Sequence, residues 1–387
     1  MQHERSKGLG RPMAFLFGLA ALAIGVVAPA PARAEIKIGF QAPLTGFAAT
    51  DGKSASIAAN MAIDEVNAAG GVLGQKLRLI TYDDQAKSEQ AILTANRLVG
   101  EDGVKLVING SYSASGRAAA PVFQKAGVVT IAVYGVHPDI TRAGNDIFRL
   151  VHLGPPQGRV AASFIAKKLG LKRISAITMD NDYGQATMDG FLEAAGKDGL
   201  TVVNKYSYAL SERQFGTIVA SVKRDNPDGI YITGYFFTAG PLVSQLRAAG
   251  VKVPIVGSQA FDSQKFIEIA GAAAEGVYIV DTLDRDRNDP ALRHFFAEFT
   301  KRAGYPPESV AAETYSATML LADAIKRAGS AEPDKVRAAL AATRNFPTLE
   351  GTLARFTKDR EIIMPFNINV VKDGKFRSYA TIDDSGT

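Results

Sequence analysis

The chain has 387 residues, contains no cysteine, and carries 44 Lys and Arg against 39 Asp and Glu, for a net charge of +5. Without cysteine there is no disulfide framework, no thiol nucleophile and no Cys-ligated metal, and the basic residues do not gather into the Lys/Arg stripe with interleaved aromatics that a nucleic-acid surface needs. The length exceeds what one hydrophobic core usually serves, so two domains are expected.

At the N-terminus, Arg5, Lys7 and Arg11 precede an uncharged apolar run from Met13 to Ala28, which ends in Pro29-Ala30-Pro31-Ala32-Arg33-Ala34. A basic head, a short apolar stretch and a small-x-small triplet predict a secretory signal peptide over residues 1–34, cleaved after Ala34. The run falls short of the ~20 residues that span a bilayer. Cleavage removes four positive charges and one negative, lowering the net charge from +5 to +2.

From Glu35 onward, short β-type runs alternate with segments of helical period, which predicts parallel strands with crossover helices. Ile36 to Phe40 reads as a strand, Ser54 to Ala69 as a helix stopped by Gly70-Gly71, and Leu77 to Tyr82 as the next strand. Ser88 to Val99 is helical, Val104 to Ile108 a strand, Ala118 to Gln124 a helix and Val128 to Val133 a strand. A second set begins with helix Gln157 to Leu169, strand Arg173 to Met179, helix Gln185 to Gly196 and strand Leu200 to Tyr206. It continues with helix Phe215 to Arg224, strand Gly229 to Thr233, helix Pro241 to Ala249, and strands Val253 to Val256 and Gly276 to Val280. The long helices Pro290 to Ala303 and Ser309 to Ala328 break the rhythm, as expected if the chain returns to the first unit. Two doubly wound units with more than one crossing place a cleft between their C-terminal strand edges and make a hinged clamp.

Chemistry-bearing motifs are sparse. His137, His152 and His294 stand in no HExxH or other metal-ligand spacing, and each reads as structural or surface. The loop Gly110-Ser111-Tyr112-Ser113-Ala114-Ser115-Gly116 follows a strand and opens a helix, but Ser111 breaks the GxSxG pattern and no P-loop lysine is present. Asp83-Asp84 and Asp180-Asn181-Asp182 lie at strand ends and read as turn formers. The Gly110 to Gly116 loop presents hydroxyls and N–H groups at a helix start, which suits a carboxylate and equally suits an ordinary capped turn. Tyr183 and Tyr235 each follow a strand of the second set, at the cleft edge, where aromatic rings often cover a ligand. No catalytic residue, cofactor or metal is expected, and the chain is read as a non-enzyme.

In this setting, Ile36-Lys37-Ile38-Gly39, Pro43-Leu44-Thr45-Gly46, the segment from Ala62 to Gly74, Tyr82-Asp83-Asp84, Asp180-Asn181-Asp182-Tyr183-Gly184 and Arg247-Ala248-Ala249-Gly250 succeed one another in an order that resembles the periplasmic leucine/isoleucine/valine-binding proteins of branched-chain amino-acid transporters. The resemblance implies an α/β chain of two doubly wound, Rossmann-like lobes joined by a three-stranded hinge, the type I periplasmic binding architecture with Venus-flytrap closure. Residues 35–153 and 284–355 would form one lobe, and 154–283 and 356–387 the other. It further implies that Ser113 binds the ligand carboxylate through hydroxyl and N–H, that the Tyr134 carbonyl accepts from the α-ammonium, and that Tyr183 and Tyr235 close over the ligand. Val136 stands where the family has a threonine and Gln259 where it has a glutamate, so both departures fall on the ammonium side. Asp51, where the family has a tyrosine, is the candidate to replace the missing charge, although before Gly52 it also reads as a turn residue. Asp281 and Asp284 are weaker candidates.

The expectation is therefore a periplasmic, monomeric receptor that takes an amino acid, branched-chain or related, and delivers it to the inner-membrane permease of an ABC transporter. A same-fold receptor for amides, urea or aromatic and other carboxylic acids, or a sensory receptor, is the alternative.

Overall fold

The alternation from Ile36 onward becomes two parallel sheets in the computed structural model, which describes residues 35–382 and the isolated Gly8 and Gly10. The basic head, apolar run and cleavage site expected of a signal peptide lie outside the described residues. The first sheet contains β1 (Ile36–Ala42), β2 (Leu77–Asp83), β3 (Leu106–Asn109), β4 (Val129–Ala132) and β5 (Ile147–Arg149). These strands are linked by α1 (Ala49–Ala68), α2 (Ser88–Gly100), α3 (Ser113–Lys125) and α4 (Asp139–Arg142). Their order is β2-β1-β3-β4-β5, and every pairing is parallel.

The same winding is then repeated. After α5 (Gly154–Ser163) come β6 (Arg173–Met179), α6 (Asp182–Ala195), β7 (Thr201–Tyr208), α7 (Gly216–Asp225), β8 (Gly229–Thr233) and α8 (Phe236–Ala248). β9 (Ile255–Gly257), α9 (Gln264–Ala270) and β10 (Tyr278–Asp281) complete it, with the parallel order β7-β6-β8-β9-β10. β3 and β8 are buried along their whole length, as strands covered by helices on both faces must be, whereas the edge strand β7 is largely polar and exposed. In each sheet the winding direction reverses at the first strand, so crevices open beyond the C-terminal ends of β1 and β3 and of β6 and β8.

Helices α10 (Pro290–Ala303) and α11 (Ser309–Ala328) pack on α1, and α12 (Pro333–Ala341) reaches β4, so the chain returns to the first sheet as expected. The C-terminal segment adds strands that no expectation from the sequence covers. A small antiparallel sheet is built from β11 (Arg344–Pro347), β12 (Thr352–Phe356) and β13 (Ile362–Ile363), and a hairpin from β14 (Phe366–Lys372) and β15 (Lys375–Ile382). β14 joins the second sheet antiparallel to β10. The hairpin turns on Asp373-Gly374, with φ of 52° and 68°, a type I′ pair whose Asp-Gly cue stands in the sequence. The chain thus passes between the two α/β lobes three times, after β5, after β10 and between β13 and β14.

Three helices begin five residues earlier than their sequence cues, and α5 and α6 three residues earlier. α3 starts at Ser113 instead of Ala118, and α8 at Phe236 instead of Pro241, so Pro121 and Pro241 lie inside helices. Proline favours the first helical position, but burial of Phe236, Leu242, Val243 and Leu246 outweighs that local preference in α8. α1 starts at Ala49 instead of Ser54. Its first turn lies so close to the β1–α1 loop that a Cβ on Gly52 would fall 2.0 Å from the Pro43 carbonyl oxygen. That loop is tied down by Asp83, whose Oδ1 accepts from the N–H groups of Leu44 at 2.8 Å and Gln85 at 2.9 Å, in keeping with its reading as a turn former.

Candidate functional site

β3 ends at Asn109, whose side chain accepts from Ser111 N–H at 2.9 Å and turns the chain into the start of α3. No side chain caps α3, so the N–H groups of its first turn remain directed outward at the positive end of the helix dipole. Ser113 is the first residue of this helix, and its Oγ accepts from Val136 N–H at 3.1 Å. With its acceptor role occupied, the Ser113 hydroxyl has its proton available to donate. The same bond occupies the Val136 N–H.

Asp51 lies in the first turn of α1 and is not a turn residue, because the helix begins two residues before it. Tyr112, at the N-cap of α3, donates its hydroxyl to Asp51 Oδ2 at 2.6 Å. Burial pushes the Asp51 carboxyl up to about 6, only partly offset by the Tyr112 hydrogen bond. Among the described residues, no Lys, Arg or His lines the cavity that Asp51 faces. Asp262 also lines it, but its carboxylate is held bidentately by Arg285, at 2.5 and 2.7 Å. Asp281 belongs to the same buried Arg285 cluster, and burial raises its carboxyl to about 7. Neither Asp281 nor Asp284 lines the cavity, which removes them as substitutes for the missing ammonium partner.

From the second lobe, Asn181 caps α6 by accepting from Gly184 N–H at 2.8 Å, and this places Tyr183 in the first turn. The Tyr183 hydroxyl accepts from Ala260 N–H at 3.0 Å, and burial pushes its phenol up to about 12. Tyr235, at the N-cap of α8, stacks on Tyr183 with centroids 5.2 Å apart and on Tyr112 of the first lobe at 4.5 Å. Three rings thus form one column across the cleft. Tyr134 meets Tyr112 edge-on at 5.9 Å.

Gln259 carries no charge, yet a carboxyl group lies directly behind it. Its Nε2 donates to Glu313 Oε1 at 2.6 Å, while its Oε1 accepts from Gln157 Nε2 at 3.1 Å. Burial and then the neighbouring Glu350 carboxyl hold the Glu313 pKa well above the usual carboxylate range.

The residues expected from the sequence, Asp51, Ser113, Tyr134, Val136, Tyr183, Tyr235 and Gln259, all line one cavity of about 30 Å³. Sequence reasoning did not single out Tyr112, Ala260, Asp262, Ser309 or Val310, which complete the lining. Tyr112 had a signal, since it sits inside the loop already marked for anion binding. Ser309 and Val310 come from the start of α11, remote in sequence from every other member and marked by no motif.

A family profile described as periplasmic binding protein matches residues 35–375. A leucine-, isoleucine-, valine-, threonine- and alanine-binding protein of Pseudomonas aeruginosa is 32% identical over 340 residues, covering 87% of this chain and 90% of its own. The Leu/Ile/Val-binding protein of Escherichia coli K12 is 31% identical over 275 residues, 71% of this chain and 74% of its own. Among solved structures, a leucine binding protein from Thermotoga maritima superposes with a TM-score of 0.85 at 26% identity, over 91% of this chain and all (100%) of its own. A solute binding protein from R. palustris in complex with benzoate shares the fold, with a TM-score of 0.82 at 21% identity over 91% of this chain and 98% of its own. The chain therefore belongs to the periplasmic binding protein family, with the type I fold of solute receptors of ABC transport systems, and it binds solutes rather than catalysing a reaction.

Proposed function

We propose that the protein is a periplasmic receptor for an amino acid, which it delivers to the permease of an ABC transporter. The observation that carries this reading is the pairing of opposite features in one cavity. The Ser113 hydroxyl and the start of α3 offer donors to a carboxylate, while Asp51 offers a buried carboxylate in a cavity that, among the described residues, no cationic side chain lines. A zwitterion complements both. In this reading Tyr183 and Tyr235 close from the second lobe and the Tyr134 carbonyl faces the ammonium. Val136 and Gln259 shape the wall, since the Val136 N–H is held by Ser113 and the Gln259 amide by Glu313. The lobes are assigned as residues 35–153 with 284–355 and residues 154–283 with 356–387, with the last boundary moved behind β13, because β13 pairs with β12 and Glu361 bonds Arg149 of the first lobe; the exported monomer begins at Glu35 after cleavage behind Ala34. N-terminal sequencing of the periplasmic form checks the last point.

Calorimetry with L-amino acids and their deaminated counterparts tests the ligand class. Binding of L-phenylalanine or L-leucine, with at least tenfold loss for 3-phenylpropanoate or 4-methylpentanoate, is the expected result, because the acids leave Asp51 without a partner. A second reading, a carboxylic acid without an amine, is favoured by the neutral Gln259 and by the four tyrosines of the lining, and a fold relative takes benzoate. Tighter binding of the deaminated acids would establish it in place of the first.

A further inference from the structure

The apolar wall of the cavity is made of rings. Its aliphatic members, Val136, Ala260 and Val310, are small, and among the described residues no Leu, Ile, Met or Phe lines it. A branched aliphatic side chain finds no large aliphatic partner there. Tyr112 and Tyr235 instead face each other from opposite lobes with centroids 4.5 Å apart and planes inclined by 28°.

Both rings are held from behind. Tyr112 is fixed by its hydrogen bond to Asp51 and by the edge of Tyr134, and Tyr235 by its stack on Tyr183, whose hydroxyl is tied to Ala260 N–H. Beside this stack, Phe47 of the first lobe meets Phe237 of the second edge-on, with centroids 5.5 Å apart and planes inclined by 62°. Offset-stacked rings prefer centroid separations of about 4.5–7 Å. Parting the lobes by a few ångströms therefore converts the Tyr112–Tyr235 stack into a slot that covers both faces of one planar ring. Ring walls oriented in advance lower the ordering cost of binding.

We infer that Tyr112 and Tyr235 sandwich a planar aromatic side chain, so that the receptor selects aromatic over branched aliphatic amino acids. The inference rests on the amino-acid reading for the ligand's backbone and on the slot alone for its side chain. Because Tyr112 also bonds Asp51, the residue that seats the ring positions the group that seats the ammonium.

The test is calorimetry on the mature protein with L-phenylalanine, L-tryptophan, L-leucine and 3-phenylpropanoate. The chain contains no tryptophan, so the protein adds no indole emission to that of L-tryptophan, whose change on binding reports stacking. The aromatic amino acids should bind at least tenfold tighter than L-leucine, with quenched indole emission. Tyr112→Leu should remove that preference, and Tyr112→Phe, which keeps the ring but loses the hydroxyl, should retain it at lower overall affinity. L-leucine binding as tightly as L-phenylalanine overturns the sandwich and leaves the amino-acid reading standing. Strong binding of 3-phenylpropanoate with none of L-phenylalanine overturns the amino-acid reading and keeps the sandwich. Binding of none of the four overturns both. Should Tyr112→Leu not fold, the ligand ranking and indole quenching in the unaltered protein, together with Tyr112→Phe, still decide.

Discussion

Asp51→Asn should stabilise the protein while weakening its ligand. Burial raises the Asp51 carboxyl from 3.8 to about 6, so the folded chain holds this proton more tightly than the unfolded chain does. Between those two values the unfolded state loses its proton first, and folding stability falls as pH rises. Below about pH 4 the group contributes nothing, and above about pH 6 the full cost applies. A shift of about two units corresponds to ~3 kcal/mol, an upper figure because the asparagine amide must find its own partner. Tyr112 can still donate to the asparagine oxygen, so the geometry of its ring is retained. Thermal unfolding at pH 8 without ligand should show a midpoint raised by a few degrees, roughly 1–2 °C per kcal/mol when the known scaling is continued to this chain length. At pH 4 the two proteins should melt together. Calorimetry at pH 8 should show an amino-acid ligand bound roughly ten- to a hundredfold more weakly, the value of a charge-assisted hydrogen bond. A variant that melts lower than the native protein at pH 8, or one that binds an amino acid unchanged, would refute the assignment of Asp51 as a strained carboxylate kept for the ammonium.

The native protein should lose amino-acid affinity below about pH 6, about tenfold by pH 5, because Asp51 must ionise to bind, whereas an acid lacking an amine should bind better there; titration at the two pH values reads the sign. Ser113→Ala should cost ~1–3 kcal/mol of binding, and it should also lower stability by a similar amount because the buried Val136 N–H loses its acceptor; an unchanged affinity contradicts the carboxylate assignment. Gln259→Glu sets a second carboxyl 2.6 Å from Glu313, so it should destabilise by roughly 3 kcal/mol at pH 8, with recovery at acid pH where the pair is protonated; tighter ligand binding at pH 8 would contradict this. Gly52→Ala, which helix propensity favours by ~1 kcal/mol, should instead lower the melting temperature and weaken binding, because the new Cβ meets the Pro43 carbonyl and displaces the turn carrying Asp51; a stabilised variant would show that the loop can yield.

The local rhythm of the chain was enough to place the two windings and the loops at their strand ends, because a strand buried on both faces and a helix buried on one leave different periods in the sequence. Ser113, Tyr183 and Tyr235 were legible for that reason: each directly follows a strand, and the ends of such strands converge on one crevice. β13 was hidden because it is two residues long; the β14–β15 hairpin left its Asp373-Gly374 cue in the sequence, but its place beside β10, nearly a hundred positions away, did not. Asp51 followed by Gly52 reads as a turn because Asp-Gly is a local turn signal, and only the close approach to Pro43 shows why the glycine stands in a helix. The electrostatic character of the site lay beyond sequence reasoning altogether. Asp51 acquires its raised pKa from burial and its hydrogen bond from Tyr112, Gln259 rests on Glu313, and Asp262 is neutralised by Arg285. These partners are 61, 54 and 23 residues apart in the chain. A sequence supplies the groups, but desolvation and pairing are properties of the space around them, and that space exists only once both windings have closed on each other.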